Sequence, residues 1–148
     1  MEKLILSGGN ITDITPLENL TKLILLNVGY NNFISNISAV SNMRKLIRLY
    51  IENNRINDIT GINNLQNLEW LDASSNQIQD ITELQYLPNI HLLGLSENKI
   101  EDLLPLVNNS SLGAGVELYI SANPLSEKSI NEYIPTLIQR GVTVYRFN

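Results

Sequence analysis

The chain has 148 residues, of which 43% are hydrophobic and 17% charged, with a formal net charge of -5 and no cysteine. This length is sufficient for one domain with a continuous core, and the absence of cysteine excludes disulfides, thiolate zinc sites and cysteine nucleophiles. The acidic balance and the scattered lysines and arginines argue against nucleic acid as a partner. No apolar run approaches the roughly 18 residues expected of a membrane-spanning helix, so membrane insertion is not expected.

An apolar pattern that recurs about every 22 residues begins at the first residue. Its first copy, residues 1 to 22, has Gly9 where later copies have asparagine. Its second copy, residues 23 to 45, contains one extra residue, which we place between Phe33 and Ile37. The predicted core positions of these two copies are Met1, Leu4, Leu6, Ile11, Ile14, Leu17, Leu20, Leu23, Leu26, Val28, Phe33, Ile37, Val40 and Met43.

The third, fourth and fifth copies, residues 46 to 67, 68 to 89 and 90 to 114, follow the template L-x-x-L-x-L-x-x-N-x-I-x-x-I-x-x-L-x-x-L. A sixth copy, residues 115 to 125, resumes after an insertion at residues 108 to 115. Phased copies of this kind predict a repeat architecture, in which each copy closes the core of its neighbours.

Two periodicities within one copy predict its shape. The x-L-x-L-x part alternates with a period of two residues, which predicts a short strand with its leucines on the core side. The I-x-x-I-x-x-L-x-x-L part has a period of three, which is typical of 3₁₀ turns. Each copy should therefore form one turn of a coil, with a strand on one side and a 3₁₀-like segment on the other.

Two polar columns have structural explanations. The template asparagine follows each strand, where its amide can bond with backbone groups that face the core. We expect a hydrogen-bonded ladder formed by Asn31, Asn54, Asn76, Asn98 and Asn123. A second column precedes the 3₁₀-like segments and can cap their free N–H groups, whereas one carboxylate per copy is too few for a calcium site. Its members are Asp13, Asn36, Asp58, Asp80 and Asp102.

Residues 126 to 148 lose the repeat and predict a cap over the last copy. Ser126 is expected to start a helix, Pro135 to kink it and Gly141 to end it. A final strand is expected over residues 142 to 147. The helical face that should cover the core consists of Ile130, Tyr133, Ile134, Leu137 and Ile138.

The stretches NITDITPLENLTKL, NRINDITGINNLQNL and NQIQDITELQYLPNI resemble bacterial internalin-type leucine-rich repeats, close to the 22-residue class of SDS22-like phosphatase regulators. The tail NPLSEKSINEYIPTLIQRGVTV is similar, more loosely, to the ends of many bacterial leucine-rich-repeat proteins. The resemblance implies a right-handed solenoid with a parallel sheet on its concave face, usually engaged in protein binding. Internalins are bacterial surface or secreted proteins that bind host receptors, so the resemblance is compatible with such a location.

The fold we expect is therefore an α/β leucine-rich-repeat solenoid in one domain, residues 1 to 148. It should have a parallel concave β-sheet, 3₁₀-like convex segments and a C-terminal helix-strand cap.

The strand residues that alternate with the buried leucines should face solvent on the concave side of the sheet. They include Trp70, the only tryptophan of the chain, and tyrosine and arginine, which are enriched at binding hot spots. We expect a partner-binding face made of Leu25, Arg48, Tyr50, Glu52, Trp70, Asp72, Leu92 and Tyr119. The alternative is that these side chains only pair across strands, with Arg48, Glu52 and Asp72 as mutual ion pairs.

This face favours a non-catalytic module that binds another protein, with no cofactor and no metal. An acid/base pair of Glu52 and Asp72 is the enzymatic alternative, although an open face predicts no cleft that excludes water. Self-association is the other alternative. The first copy begins without a cap, and its strand edge invites cover by a second chain, for example in a homodimer.

Overall fold

The computed structural model describes residues 1 to 147. It confirms the expected solenoid: seven strands form one parallel sheet, and they follow one another in chain order. The strands are β1 (Lys3–Ile5), β2 (Leu25–Asn27), β3 (Arg48–Tyr50), β4 (Trp70–Asp72), β5 (Leu92–Gly94), β6 (Glu117–Tyr119) and β7 (Thr143–Tyr145).

Short helical segments return the chain from each strand to the next. They are the 3₁₀ segments Thr15–Leu17, Ser38–Asn42, Ile62–Asn64 and Thr82–Tyr86, and the α-helix α1 (Leu104–Asn108). The second polar column caps most of them, as its spacing predicted: the N–H of Thr82, the first residue of its segment, donates to Asp80 Oδ1 at 2.8 Å. No helix within residues 1 to 147 is long and apolar enough to cross a membrane.

The fifth copy differs from the others because its return segment is α-helical. Its last template position is Asn109, where the fourth copy has Leu87. The buried amide of Asn109 donates to the carbonyls of Leu84 and Leu87, at 2.9 and 2.8 Å. These bonds join the end of α1 to the end of the preceding 3₁₀ segment.

The core runs through the whole solenoid as one cluster of aliphatic side chains. The middle residue of each strand points into it, and those of the five inner strands are at most 1% exposed. The first copy is less buried because it has a neighbour on one side only. Ile14 is its only apolar residue that is fully buried, and Met1, which we predicted in the core, is 69% exposed.

The second copy departs from the predicted pattern at its insertion. Ile34 is fully buried, whereas Phe33, which we predicted as the core residue, is 42% exposed. The N–H of Ile34 makes the ladder bond to Asn54 Oδ1, so the extra residue lies before Ile34. Asn32 accommodates the extra residue in the turn by adopting a positive φ of 64°. Phe33 turns outward, and the Arg55 guanidinium lies 4.9 Å from the centre of its ring.

The C-terminal cap begins with the predicted hydrogen bond, since Ser126 Oγ accepts from the N–H of Ser129 at 3.1 Å. A π-helical turn, Ser129–Tyr133, then continues into α2 (Ile134–Gln139). Pro135 has no N–H to donate, and the π-helical turn directly before it accommodates the missing bond. Gly141, with a φ of 96°, ends the helix. The final strand is shorter than predicted, since β7 spans three residues.

The face of the cap helix was only partly predicted. Ile134 and Leu137 are buried, but Ile130 is 36% exposed and Ile138 is 54% exposed. The π-helical turn has more residues per turn than an α-helix, which shifts the phase of the earlier residues. Ser129 therefore occupies the buried position, where its hydroxyl donates to the carbonyl of Glu101 and accepts from the N–H of Leu103.

Candidate functional site

The parallel register arranges the solvent-facing strand residues in two rows across the sheet. We call the surface made by these rows, and by the residues two positions further on, the concave face. The first row is Lys3, Leu25, Arg48, Trp70, Leu92, Glu117 and Thr143. The second row is Ile5, Asn27, Tyr50, Asp72, Gly94, Tyr119 and Tyr145.

Arg48 and Trp70 are direct neighbours in the first row and contact each other. The Arg48 guanidinium lies 5.6 Å from the centre of the Trp70 ring, which is the geometry of a cation–π interaction. Arg48 is exposed, and Trp70 is half-buried, as are Leu25 and Leu92 on either side. Tyr50 is half-buried in the second row. The structure therefore brings an arginine, a tryptophan and a tyrosine together on two adjacent strands.

The asparagines of the template lie behind this face and join neighbouring turns. Asn76 Nδ2 donates to the carbonyl of Ile51 in the preceding copy at 3.0 Å, and to those of Ala73 and Ser74 in its own copy. Asn76 Oδ1 accepts from the N–H of Ile56 at 2.9 Å. The same bonds to the preceding copy are made by Asn31, Asn54, Asn98 and Asn123.

The turn before each asparagine contains a feature that the sequence pattern did not reveal. In every copy that contains this asparagine, the residue before it has a positive φ, although that residue is not glycine. These residues are Tyr30, Asn53, Ser75, Glu97 and Ala122. In the first copy the corresponding residue is Gly8, with a φ of 73°.

Glu52 and Asp72 have separate contacts. The Glu52 carboxylate lies over Gly29, where a Cβ would be only 2.5 Å from it, and Asp72 lies in the same way against Gly94 at 2.6 Å. Asp72 Oδ1 accepts from the N–H of Ser74, but Glu52 Oε2 is buried without a hydrogen-bond partner within residues 1 to 147. Burial raises the pKa of Glu52, and the negative charge of Asp72 raises it further.

Tyr119 forms a second aromatic group, near the C-terminal edge of the sheet. Its ring stacks on that of Tyr145, with the centres 4.5 Å apart and the planes at 11°. Its hydroxyl donates to Glu117 Oε2 at 2.8 Å, which raises the pKa of Tyr119 to about 12. Sequence reasoning did not include Tyr145, although the alternation in Thr143–Tyr145 would have extended the second row to it.

A hollow at the start of β1, β2 and β3 was also not predicted. It has a volume of about 250 Å³. Its lining consists of Lys3, Ile24, Leu25, Ile47 and Arg48. The signal was present in the sequence, because the residue before a strand is Glu2, Glu69 or His91 in three other copies but isoleucine in the second and third.

Residues 1 to 147 contain no group of three or more histidine, aspartate or glutamate side chains placed to hold a metal ion. The concave face presents aromatic, cationic and acidic side chains on an open surface.

Comparison with known proteins agrees with this architecture. The family model for leucine-rich repeats, in two copies, matches residues 66 to 108. The crystal structure of an internalin, InlF of Listeria monocytogenes, is 32% identical, with a TM-score of 0.86; the match covers 100% of this chain and 43% of that one. This chain therefore spans less than half of the InlF chain. No curated protein matches the sequence.

Two further structures are similar. Internalin C2 of the same organism is 27% identical, with a TM-score of 0.64, and the match covers 98% of this chain and 71% of that one. A leucine-rich-repeat protein of Leptospira interrogans is 21% identical, with a TM-score of 0.71, and the match covers 98% of this chain and 48% of that one. At 21% identity, the Leptospira protein shows the shared fold alone. From its repeat template, its sheet and these matches, the chain is a leucine-rich-repeat protein that resembles the internalins.

Proposed function

We propose that this protein is a non-catalytic module that binds another protein through its concave face. Leucine-rich-repeat folds are commonly protein-interaction modules, because stacked turns create an extended concave surface. The residues proposed to contact the partner are Leu25, Arg48, Tyr50, Glu52, Trp70, Asp72, Leu92 and Tyr119.

The observation that carries this proposal is the contact between Arg48 and Trp70 on a solvent-facing surface. Tryptophan, tyrosine and arginine are the residue types most often found at binding hot spots. The parallel sheet holds Trp70 beside Arg48 and one row away from Tyr50. Side chains that are already positioned lose less conformational entropy on binding, which increases affinity.

The contacts of the two carboxylates support a non-catalytic role. A general acid and a general base must both reach the same substrate. The Glu52 carboxylate packs over Gly29 and that of Asp72 against Gly94, so both are held against the backbone of an open sheet instead of lining a cleft. Leucine-rich-repeat proteins are, in addition, typically interaction modules and not enzymes. A hydrolase activity that Glu52→Gln abolishes would contradict this part of the proposal.

The test is capture of a binding partner by the intact chain, followed by affinity measurements with variants. Trp70→Ala and Tyr50→Ala should each weaken binding by 2 kcal/mol or more, about thirtyfold, if they lie at a central hot spot. Tyr86→Ala is the matched control, because Tyr86 is an aromatic side chain, 56% exposed, in a 3₁₀ segment on the opposite side.

Thermal unfolding of the same variants separates binding from packing. We expect the melting temperatures of Trp70→Ala and Tyr50→Ala to stay close to that of the native chain. Unfolding of these variants would show that the two rings stabilise the sheet. A loss of affinity in Tyr86→Ala, with the other two unaffected, would place the partner on the convex side and refute the assignment.

Self-association is a second candidate, which rests on the exposed edge of the sheet. Within residues 1 to 147, β1 pairs only with β2, and Ile5 is 64% exposed on it. An unpaired edge strand is a template for pairing with another chain. Light scattering over a range of concentrations tests this candidate, and a mass that stays monomeric throughout would exclude it.

A further inference from the structure

The hollow at the start of β1, β2 and β3 combines an aliphatic floor with two cations. Leu25 forms the middle of the floor, and Ile24 and Ile47 extend it, all three half-buried. The ammonium-bearing Lys3 and the guanidinium-bearing Arg48 complete the lining, and both side chains are exposed. No carboxylate contributes to the lining.

The register of the sheet places the two cations on opposite sides of Leu25. Lys3 pairs with Leu25 and Leu25 pairs with Arg48, so that one strand separates the two charged residues. Neighbouring strands are about 4.8 Å apart, so their backbones are separated by roughly 10 Å. A ligand that covers Leu25 therefore meets a positive charge on either side, in a chain whose net charge is -5.

A second hollow lies next to the first and differs from it in the charge of its lining. It shares Ile24 and Ile47, but its other lining residues include Glu69 and the amide groups of Asn67 and Asn89. Both amides already donate to backbone carbonyls of the adjacent copy. The second hollow also contains one cation, Lys45, but Glu69 offsets its charge, so an anionic ligand meets no net positive charge there.

We propose that the hollow between Lys3 and Arg48 binds an acidic peptide segment of a protein partner. An aliphatic side chain of the segment covers Leu25, and flanking carboxylates pair with Arg48 and Lys3. This inference deepens the proposed function and rests on it, since it names the chemistry of the partner that the concave face binds.

Size and preorganisation both support this occupant. Pockets for small-molecule ligands usually measure about 300–1,000 Å³, so a hollow of about 250 Å³ is suited to a peptide side chain. Arg48 rests on the Trp70 ring, which restricts its guanidinium before any ligand arrives. Guanidinium and carboxylate then form charge-assisted hydrogen bonds with matched geometry. Arg48 thereby joins the hollow to the aromatic residues of the concave face.

The test uses a defined probe and needs no natural partner. The intact, ¹⁵N-labelled chain is titrated with the blocked tripeptide Glu-Leu-Glu and followed by NMR. We expect saturable shifts of the amides of Leu25, Ile47 and Arg48. The matched peptides Gln-Leu-Gln and Glu-Ala-Glu should bind about five- to tenfold more weakly, because each lacks either the charges or the aliphatic side chain.

A pair of charge variants completes the design. Lys3→Gln removes one cation of the hollow and should weaken binding of Glu-Leu-Glu about threefold. Lys45→Gln removes a cation that lines only the neighbouring hollow, and it should leave the affinity unchanged. Absence of shifts, equal affinity for Glu-Leu-Glu and Gln-Leu-Gln, or shifts centred on another part of the chain would each overturn the proposal.

The outcome is separable from that of the proposed function. If Trp70→Ala and Tyr50→Ala leave partner binding intact while Glu-Leu-Glu still binds over Leu25, the aromatic hot spot is refuted and the peptide site of the concave face stands. If both aromatic variants weaken partner binding but the probe does not bind, only the peptide site is refuted.

Discussion

At the scale of single residues, the ladder asparagines have the largest predicted effect on stability. Asn76→Leu would remove four hydrogen bonds and leave their backbone partners buried, at a cost of about 1–3 kcal/mol for each unpaired group. We expect a clear decrease in the free energy of unfolding, measured in urea. Asn64→Leu is the control, because Asn64 is exposed at the end of a 3₁₀ segment. Equal stability of the two variants would refute the structural role of the ladder.

The raised pKa of Glu52 predicts that the stability of the protein depends on pH. Its pKa is raised in the folded protein by burial, so the folded state binds this proton more tightly than the unfolded state. Stability should therefore decrease as the pH rises from the unfolded value of 4.5 through the higher folded value. Glu52→Gln removes the cost of the buried charge, and its melting temperature at neutral pH should exceed that of the native chain.

The difference between Glu52→Gln and the native chain should vanish below about pH 4, where the native carboxyl is protonated in both states. Glu69→Gln, which changes an exposed carboxylate, is the control for the loss of one negative charge. A lower melting temperature of Glu52→Gln at neutral pH would show that the carboxylate has a partner that stabilises it.

At the scale of elements, two adjacent residues of α2 test how the cap covers the core. Leu137 is fully buried, whereas Ile138 is 54% exposed. Leu137→Ala should lower the free energy of unfolding by about 2–5 kcal/mol, because it leaves a cavity over the last turn. Ile138→Ala should change it by less than about 0.5 kcal/mol. Denaturant unfolding distinguishes the two, and a larger loss in Ile138→Ala would mean that the opposite face of the helix covers the core.

At the scale of the whole molecule, stability should vary along the solenoid because each turn contacts only its neighbours. The outermost strand β1 has Leu4 half-buried at its centre, whereas Leu49 and Leu71 in β3 and β4 are fully buried. Hydrogen exchange should therefore be fastest in the first copy and slowest in the third and fourth. Uniform protection across the sheet would indicate that the chain unfolds only as one unit.

The sequence by itself determined the repeat, the strands and the direction of their side chains. These properties depend on local periodicity: a residue that alternates with Leu49 or Leu71 must lie on the other face of the strand, whatever its neighbours are. The asparagine ladder was predictable from local spacing too, since every strand is followed by a turn whose backbone groups need hydrogen-bond partners. The two rows of the concave face were thus predictable from spacing alone, whereas Glu52, which we expected to face solvent, is only 8% exposed.

The tertiary structure decided which side chains contact one another. Phe33 and Ile34 are both apolar, and only the ladder bond of Ile34 selects it for the core. The exposed face of the cap helix depends on a π-helical turn that the apolar pattern does not show. The hollow around Leu25 joins residues from three copies, and the burial of Glu52 depends on Gly29 in the preceding strand. Such contacts join residues about 22 positions apart, so local sequence patterns cannot specify them.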